Sequence, residues 1–91
     1  MRELFIGRRE EAGEEGALYR FDYYIVIDQM EFRNGLCCES YGIKVLSPDT
    51  QEAEVIPNIT ISTARIDELA ELMMRNCVSP ATARDVVLDW L

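Results

Sequence analysis

The sequence predicts an α+β fold, in which a three- to four-stranded antiparallel β-meander carries two C-terminal α-helices packed on one face. Apolar residues alternate with period two over the first two thirds of the 91 residues and recur at spacings of three and four in the last third. Strand and helix patterns therefore lie in separate parts of the chain, which is typical of α+β rather than α/β folds. We expect a single domain over residues 1–91, with the sheet at about 3–61 and helices at about 63–76 and 80–91.

The first predicted strand covers residues 3–9, and an acidic loop at residues 10–16 joins it to a longer second strand at residues 17–28. A third strand is predicted at residues 37–46. Alternation as long as that of the second strand indicates antiparallel pairing with one buried face. The predicted core positions of the second strand are its odd-numbered ones: Tyr19, Phe21, Tyr23, Ile25 and Ile27.

An Asn-Gly pair at residues 34–35 sets the register between the second and third strands. A two-residue loop would place Ile25 opposite Lys44, so that the apolar face of one strand would meet the polar face of the other. A three-residue loop places Ile25 opposite Ile43 and brings the apolar residues to one side. Because register follows the buried face, we predict the three-residue loop, with Gly35 in the left-handed conformation.

The fourth strand is predicted at residues 51–61, after a Ser-Pro-Asp-Thr turn. Pro57 cannot donate a main-chain hydrogen bond, which indicates an edge strand or a break. We assign the odd-numbered apolar residues to the buried face of this strand: Val55, Ile59 and Ile61.

Capping signals mark the starts of both helices. Ser62 or Thr63 can cap the first helix, and Ser79 followed by Pro80 opens the second. The predicted inward stripe of the first helix is Ile66, Leu69, Ala70, Met73 and Cys77, and that of the second is Ala83, Val86, Val87, Trp90 and Leu91. The two stripes would cover the odd-numbered face of the sheet.

The three cysteines are interpreted as structural. In a strand, Cys37 and Cys38 point to opposite faces and cannot both bind one tetrahedral metal ion. Cys77 has no cysteine neighbour at the usual metal-ligand spacing, and the chain has no histidine. We therefore expect no metal site and no cofactor.

Charge and composition exclude several classes of function. The chain has 17 acidic and 9 basic residues, a net charge of −8, so direct binding to nucleic acid is not expected. The lack of histidine excludes Ser-His-Asp and Cys-His catalytic pairs within one chain. The chain contains no long apolar run and no secretory signal at its start, so we expect a cytoplasmic protein without a membrane segment.

The sheet face opposite the helices groups apolar and charged side chains. Aromatic and aliphatic residues on an otherwise polar, acidic face are typical of a partner-binding patch. The residues assigned to this patch are Phe5, Leu18, Tyr24, Val26, Leu46, Ile56, Asp22 and Glu54. Scattered surface apolar residues explain the same pattern equally well.

Three segments carry a resemblance to a known family: YGIKV at 41–45, IPNITIS at 56–62 and VSPATARDVVLDWL at 78–91. Over residues 18–91 the chain resembles short uncharacterised proteins of Firmicutes-type bacteria that form a domain of unknown function. The resemblance implies the same fold and no activity or site residue, and residues before 18 lie outside it.

From these observations we expect a non-catalytic module that binds a protein partner, or a second copy of itself as a homodimer, through the open sheet face. An acidic inhibitor that imitates nucleic acid, acting on a host or phage enzyme as anti-CRISPR proteins do, is the alternative, because acidic residues cluster between residues 10 and 31. A carboxylate-dependent enzyme is the third hypothesis, and it requires two or more acidic residues converging in a pocket.

Overall fold

The computed structural model describes all residues 1–91 and confirms the predicted fold class. Four antiparallel strands form one sheet in the order β1-β2-β3-β4, and two helices follow in the chain. The elements are β1 (Arg2–Ala12), β2 (Leu18–Glu31), β3 (Cys37–Ser47), β4 (Glu52–Thr60), α1 (Thr63–Arg75) and α2 (Pro80–Trp90).

The predicted register between β2 and β3 is confirmed. Ile25 lies opposite Ile43, and the Phe32 N–H donates to the Leu36 carbonyl oxygen at 2.8 Å to close the three-residue loop. Gly35 has φ of 80°, the left-handed conformation that glycine adopts without a steric cost. The turn chemistry and the buried face therefore select the same register.

β2 is longer than any partner strand, so the sheet extends into a two-stranded arm at each end. Residues 28–40 form the β2–β3 arm, which lies beyond the Arg2–Ile27 pair of β1 and β2. Residues 10–20 form the β1–β2 arm, which lies beyond the Asp22–Leu46 pair of β2 and β3. The arms explain the elongated shape, with extents of 56 × 23 × 18 Å.

The β1–β2 arm corrects the sequence-based boundaries. We expected an acidic loop at residues 10–16, but Glu10 and Glu11 continue β1 and lie opposite Arg20 and Tyr19. The turn is confined to residues 13–17, where the Gly13 N–H donates to the Ala17 carbonyl oxygen at 2.6 Å. Glutamate has a low strand propensity, so the sequence pattern ended the strand too early.

The predicted buried face of β4 was wrong for Val55 and Ile61. The β3–β4 turn pairs Ser47 with Glu52, which places the even-numbered residues of β4 on the helix-covered side. Ile56 therefore packs in the core, whereas Val55 lies opposite Lys44 on the other face and Ile61 is exposed. Further along, β4 has a bulge in which residues 57–59 face the single residue Gly42 of β3, and Asn58 has φ of 56° there.

The helix caps follow the sequence. The Ser62 side chain accepts a hydrogen bond from the Arg65 N–H at 3.2 Å, and Pro80 occupies the first turn of α2. Cys77, which we predicted within the α1 stripe, instead follows the helix with φ of 47°. The Val78 N–H donates to the Met73 carbonyl oxygen at 3.0 Å, so this segment closes the C-terminus of α1.

Both helices lie on the odd-numbered face of β2 and β3, as predicted. The core consists of sheet residues Tyr23, Ile25, Ile43, Val45 and Ile56 and of residues from α1, α2 and their connection: Ile66, Leu69, Ala70, Met73, Val78, Ala83 and Val87. Val86 and Trp90 pack against this cluster at its margin, but Leu91 is exposed, contrary to the prediction.

Tyr23 ties the sheet to the connection between the helices. Its side chain is fully buried, and its hydroxyl donates to the Val78 carbonyl oxygen at 2.8 Å. Burial raises the pKa of Tyr23 well above its ordinary value, with a smaller contribution from Cys77. The hydroxyl therefore stays protonated and keeps its donor role.

Candidate functional site

The open face is the side of the sheet that the helices leave uncovered. Six of the eight predicted patch residues lie on it: Phe5, Leu18, Asp22, Tyr24, Val26 and Leu46. The assignment of the other two was wrong. Ile56 and Glu54 lie opposite Ile43 and Val45, which places them on the helix-covered face.

The centre of the open face is an aromatic pair flanked by charges. The Phe5 and Tyr24 rings lie opposite each other on β1 and β2, edge to face, with their centroids 5.4 Å apart. Lys44 places its Nζ 5.2 Å from the centroid of the Tyr24 ring and 3.0 Å from Oε1 of Glu3. Phe5 remains 54% exposed, so about half of this residue is accessible to a partner.

Asp22 and Arg8 form a bidentate ion pair on the open face. Arg8 donates from Nε to Asp22 Oδ1 at 2.5 Å and from Nη2 to Oδ2 at 3.0 Å, a bidentate arrangement. The same contact raises the pKa of Arg8 above its ordinary value. Asp22 is 5% exposed, so its carboxylate is already engaged by Arg8 and supports the face rather than presenting a free charge.

Val26 is also unavailable to a partner, although it lies on the open face. It is fully buried and lies opposite Gly42, where the β4 bulge approaches the sheet. A Cβ on Gly42 would collide with the Ile56 carbonyl oxygen and lie 2.7 Å from the Cα of Pro57. The accessible apolar part of the predicted patch is therefore Phe5 and Leu18, with Tyr24 and Leu46 half-buried between them.

A groove of about 520 Å³ lies on the opposite side of the sheet, between β1 and α1. It was not predicted from the sequence. Sequence periodicity assigned faces to each element but gave no distance between them, so no sequence signal marked this gap. Its lining combines apolar and charged residues: Ile6, Arg9, Ile25, Asp67, Ala70, Glu71, Met74 and Arg75.

Ion pairs are distributed unevenly over the surface. Six of the nine basic side chains form one, including Arg2 with Glu39, Arg20 with Asp49 and Arg84 with Glu54. The acidic side chains without an ion pair occur on several elements, and four of them sit on the β1–β2 arm: Glu10, Glu11, Glu14 and Glu15. Two more, Asp67 and Glu71, line the groove one helical turn apart, and both are exposed.

The cysteines lie apart from these surfaces. Cys37 and Cys38 are the first two residues of β3 and lie opposite Glu31 and Met30 on the β2–β3 arm. As successive strand residues, they direct their side chains to opposite faces of the sheet. Cys77 lies after α1, and all three are free thiols. No group of three or more cysteine, aspartate and glutamate side chains is arranged to hold a metal ion. Neither helix is long and apolar enough to cross a membrane.

A comparison with protein families matches residues 2–91 to the family described as "Family of unknown function (DUF6514)". The chain belongs to that family. The match begins at residue 2, so it includes β1 and the β1–β2 turn, which the sequence resemblance had left outside. Comparisons with curated proteins and with solved structures found no match for the chain.

Proposed function

We propose that this member of a family of unknown function is a non-catalytic protein-interaction module, which binds a protein partner or a second copy of itself through the open face. The proposed setting is the cytosol, as the lack of a long apolar run predicts, and Firmicutes-type bacteria, as the sequence resemblance implies. The observation that carries the proposal is the Phe5–Tyr24 pair. Phe5 is exposed, its ring packs edge to face against Tyr24, and charged side chains flank the pair.

The chemistry of this cluster fits protein recognition. Aromatic rings with few rotatable bonds bury a large area for a small loss of conformational entropy, and they are enriched at interfaces. The contact between Lys44 and Tyr24 and the ion pair between Lys44 and Glu3 fix the ring before binding. A partner would therefore gain apolar contact without ordering this part of the surface.

The acidic-inhibitor hypothesis keeps one specific observation in its favour. Four carboxylates without ion pairs project on the β1–β2 arm, where they could meet a basic surface that normally holds phosphates. The other free carboxylates are spread over β2, β4, α1 and α2 rather than along one ridge, which favours the interaction module. We place catalysis third, because the two acidic residues of the groove, Asp67 and Glu71, are exposed and no ion pair positions either carboxylate.

The test is affinity capture from an extract of the native host with the Phe5→Ser/Leu18→Ser variant. The matched control is Leu88→Ser/Leu91→Ser, which removes two exposed apolar side chains, 62% and 70% exposed, on and just after α2. We expect a partner captured by the wild type to be retained by the control and lost by the open-face variant. Sedimentation equilibrium of the same three proteins tests self-association in the same way.

Two results would contradict this assignment. Loss of the partner in the Leu88→Ser/Leu91→Ser control would place binding at α2. Loss only after Glu10, Glu11, Glu14 and Glu15 are changed together to glutamine would favour the acidic inhibitor instead.

A further inference from the structure

The groove between β1 and α1 is shaped by a bulge in β1. The register of β1 and β2 shifts between Phe5 and Gly7, so that Ile6 is an extra residue on β1. Ile6 lines the groove. Gly7 lies so close to Met74 that a Cβ at Gly7 would collide with the Met74 methyl group. Bulges commonly redirect a side chain towards a site, and this one turns Ile6 towards the gap.

Two of the three arginines without an ion pair line this groove. Six of the nine basic side chains in this acidic protein form ion pairs, and those that do not are Arg9, Arg33 and Arg75. Arg9 and Arg75 belong to the groove, and Arg33 lies in the loop of the β2–β3 arm. Because no carboxylate of the protein holds either guanidinium group, both are free to donate hydrogen bonds to a ligand anion.

The two arginines lie near the same end of the groove. Gly7 meets Met74, the residue before Arg75, and Arg9 is two positions beyond Gly7 on β1. Asp67 precedes Arg75 by about two helical turns, or roughly 12 Å along the axis, and therefore lies near the other end. Glu71, one helical turn before Arg75, also lines the groove and is exposed. The two arginines therefore lie towards one end of the groove and Asp67 towards the other, with apolar residues along the floor between them.

We propose that this groove binds a medium-chain fatty acid, with its carboxylate between Arg9 and Arg75 and its chain along Ile6, Ile25, Ala70 and Met74. The volume of about 520 Å³ lies within the range of small-molecule sites. Arginine holds a carboxylate with paired hydrogen bonds, and the apolar floor removes the chain from water. The ligand leaves the open face free, so this site is independent of the function proposed above.

The experiment is a chemical-shift titration of ¹⁵N-labelled full-length protein with decanoate, with decan-1-ol as the neutral probe. We expect saturable shifts at Ile6, Ala70 and Met74, and about tenfold weaker binding of decan-1-ol, because a charged hydrogen bond is lost. Arg9→Gln and Arg75→Gln should each weaken decanoate binding by about tenfold and leave decan-1-ol binding unchanged.

Arg33→Gln is the matched control, because it removes an arginine without an ion pair that lies outside the groove, and it should bind decanoate like the wild type. Arg9→Lys should recover part of the affinity that Arg9→Gln loses, and the spectra show whether each variant is folded. The proposal is overturned if no saturable shift appears, if decan-1-ol binds as tightly as decanoate, or if Arg33→Gln weakens binding equally. An apolar tetrapeptide with a free C-terminus that binds more tightly than decanoate, with the same arginine dependence, would overturn the fatty acid as the occupant.

Discussion

On the helix-covered face of the sheet, Tyr23 and Val45 are buried because α1 and α2 lie over them. On the open face, Val26 is equally buried, although no helix covers it. Its protection comes from within the sheet, where the β4 bulge closes on Gly42 beside it. One face is therefore held by a continuous apolar layer and the other by local contacts, and the second leaves Phe5 accessible to a partner.

The largest effect should follow removal of part of the layer over the helix-covered face. Deleting residues 86–91 removes the buried Val87 and the partly buried Val86 and Trp90. A fully buried side chain contributes about 1.5–3 kcal/mol and the two partly buried ones add to it, so the loss is a large share of the roughly 5–10 kcal/mol that stabilises a domain of this size. We expect the shortened chain to show no cooperative thermal transition by circular dichroism. A cooperative melt near the full-length midpoint would show that α2 is not part of the core.

Gly42→Ala tests whether the open face is closed by the β4 bulge. The added methyl group would collide with the Ile56 carbonyl oxygen and with Pro57, so β3 and β4 must move apart. We expect a loss of about 1–3 kcal/mol in the free energy of unfolding, measured with urea. An unchanged urea midpoint would mean that Val26 is protected in some other way.

Tyr23→Phe separates burial from hydrogen bonding on the helix-covered face. It leaves the Val78 carbonyl oxygen without its donor and should cost about 1–2 kcal/mol at neutral pH. Burial raises the pKa of Tyr23 in the folded state, so the unfolded chain releases this proton first, at about pH 10. The stability of the wild type should therefore fall as the pH rises above that value, and its advantage over Tyr23→Phe should narrow. An advantage that stays constant up to pH 11 would contradict the burial of the hydroxyl.

Gly35→Ala tests the turn that assigns residues to the two faces. Gly35 has φ of 80°, and its missing Cβ would meet no atom within 4 Å, so the only cost is backbone strain. We expect a loss of about 1 kcal/mol with the sheet register intact, measured by urea unfolding. Retention of full stability would mean that the loop can relax to another turn.

The sequence predicted the parts of the fold in which a single pattern decides the outcome. The alternation of β2 and the loop before Leu36 determine one register, and that register is confirmed by the pairing of Ile25 with Ile43. The predicted face of β4 was wrong, because the β3–β4 turn pairs Ser47 with Glu52 and the sequence pattern does not reveal that pairing. The β1–β2 arm was missed because Glu10 and Glu11 continue β1 although glutamate has a low strand propensity.

The surfaces were predictable only in part. Alternation placed Phe5, Leu18 and Tyr24 on the open face, but it could not show that Val26 is buried there, since that depends on the approach of Pro57 to Gly42. The groove depends on where α1 lies relative to β1 and on the bulge at Ile6, and neither is encoded in a local spacing. Helix position across a sheet is a result of packing, which a periodic pattern leaves open.

The central claim is that the exposed residues of the open face serve binding while the helix-covered face supports the fold. Urea unfolding of Phe5→Ser/Leu18→Ser, combined with capture of the partner, tests this most directly. Both side chains are about half exposed, so we expect the free energy of unfolding to change by no more than about 1 kcal/mol while the captured partner is lost. A loss of stability above about 2 kcal/mol with the partner still captured would show that these residues hold the fold and that binding lies elsewhere.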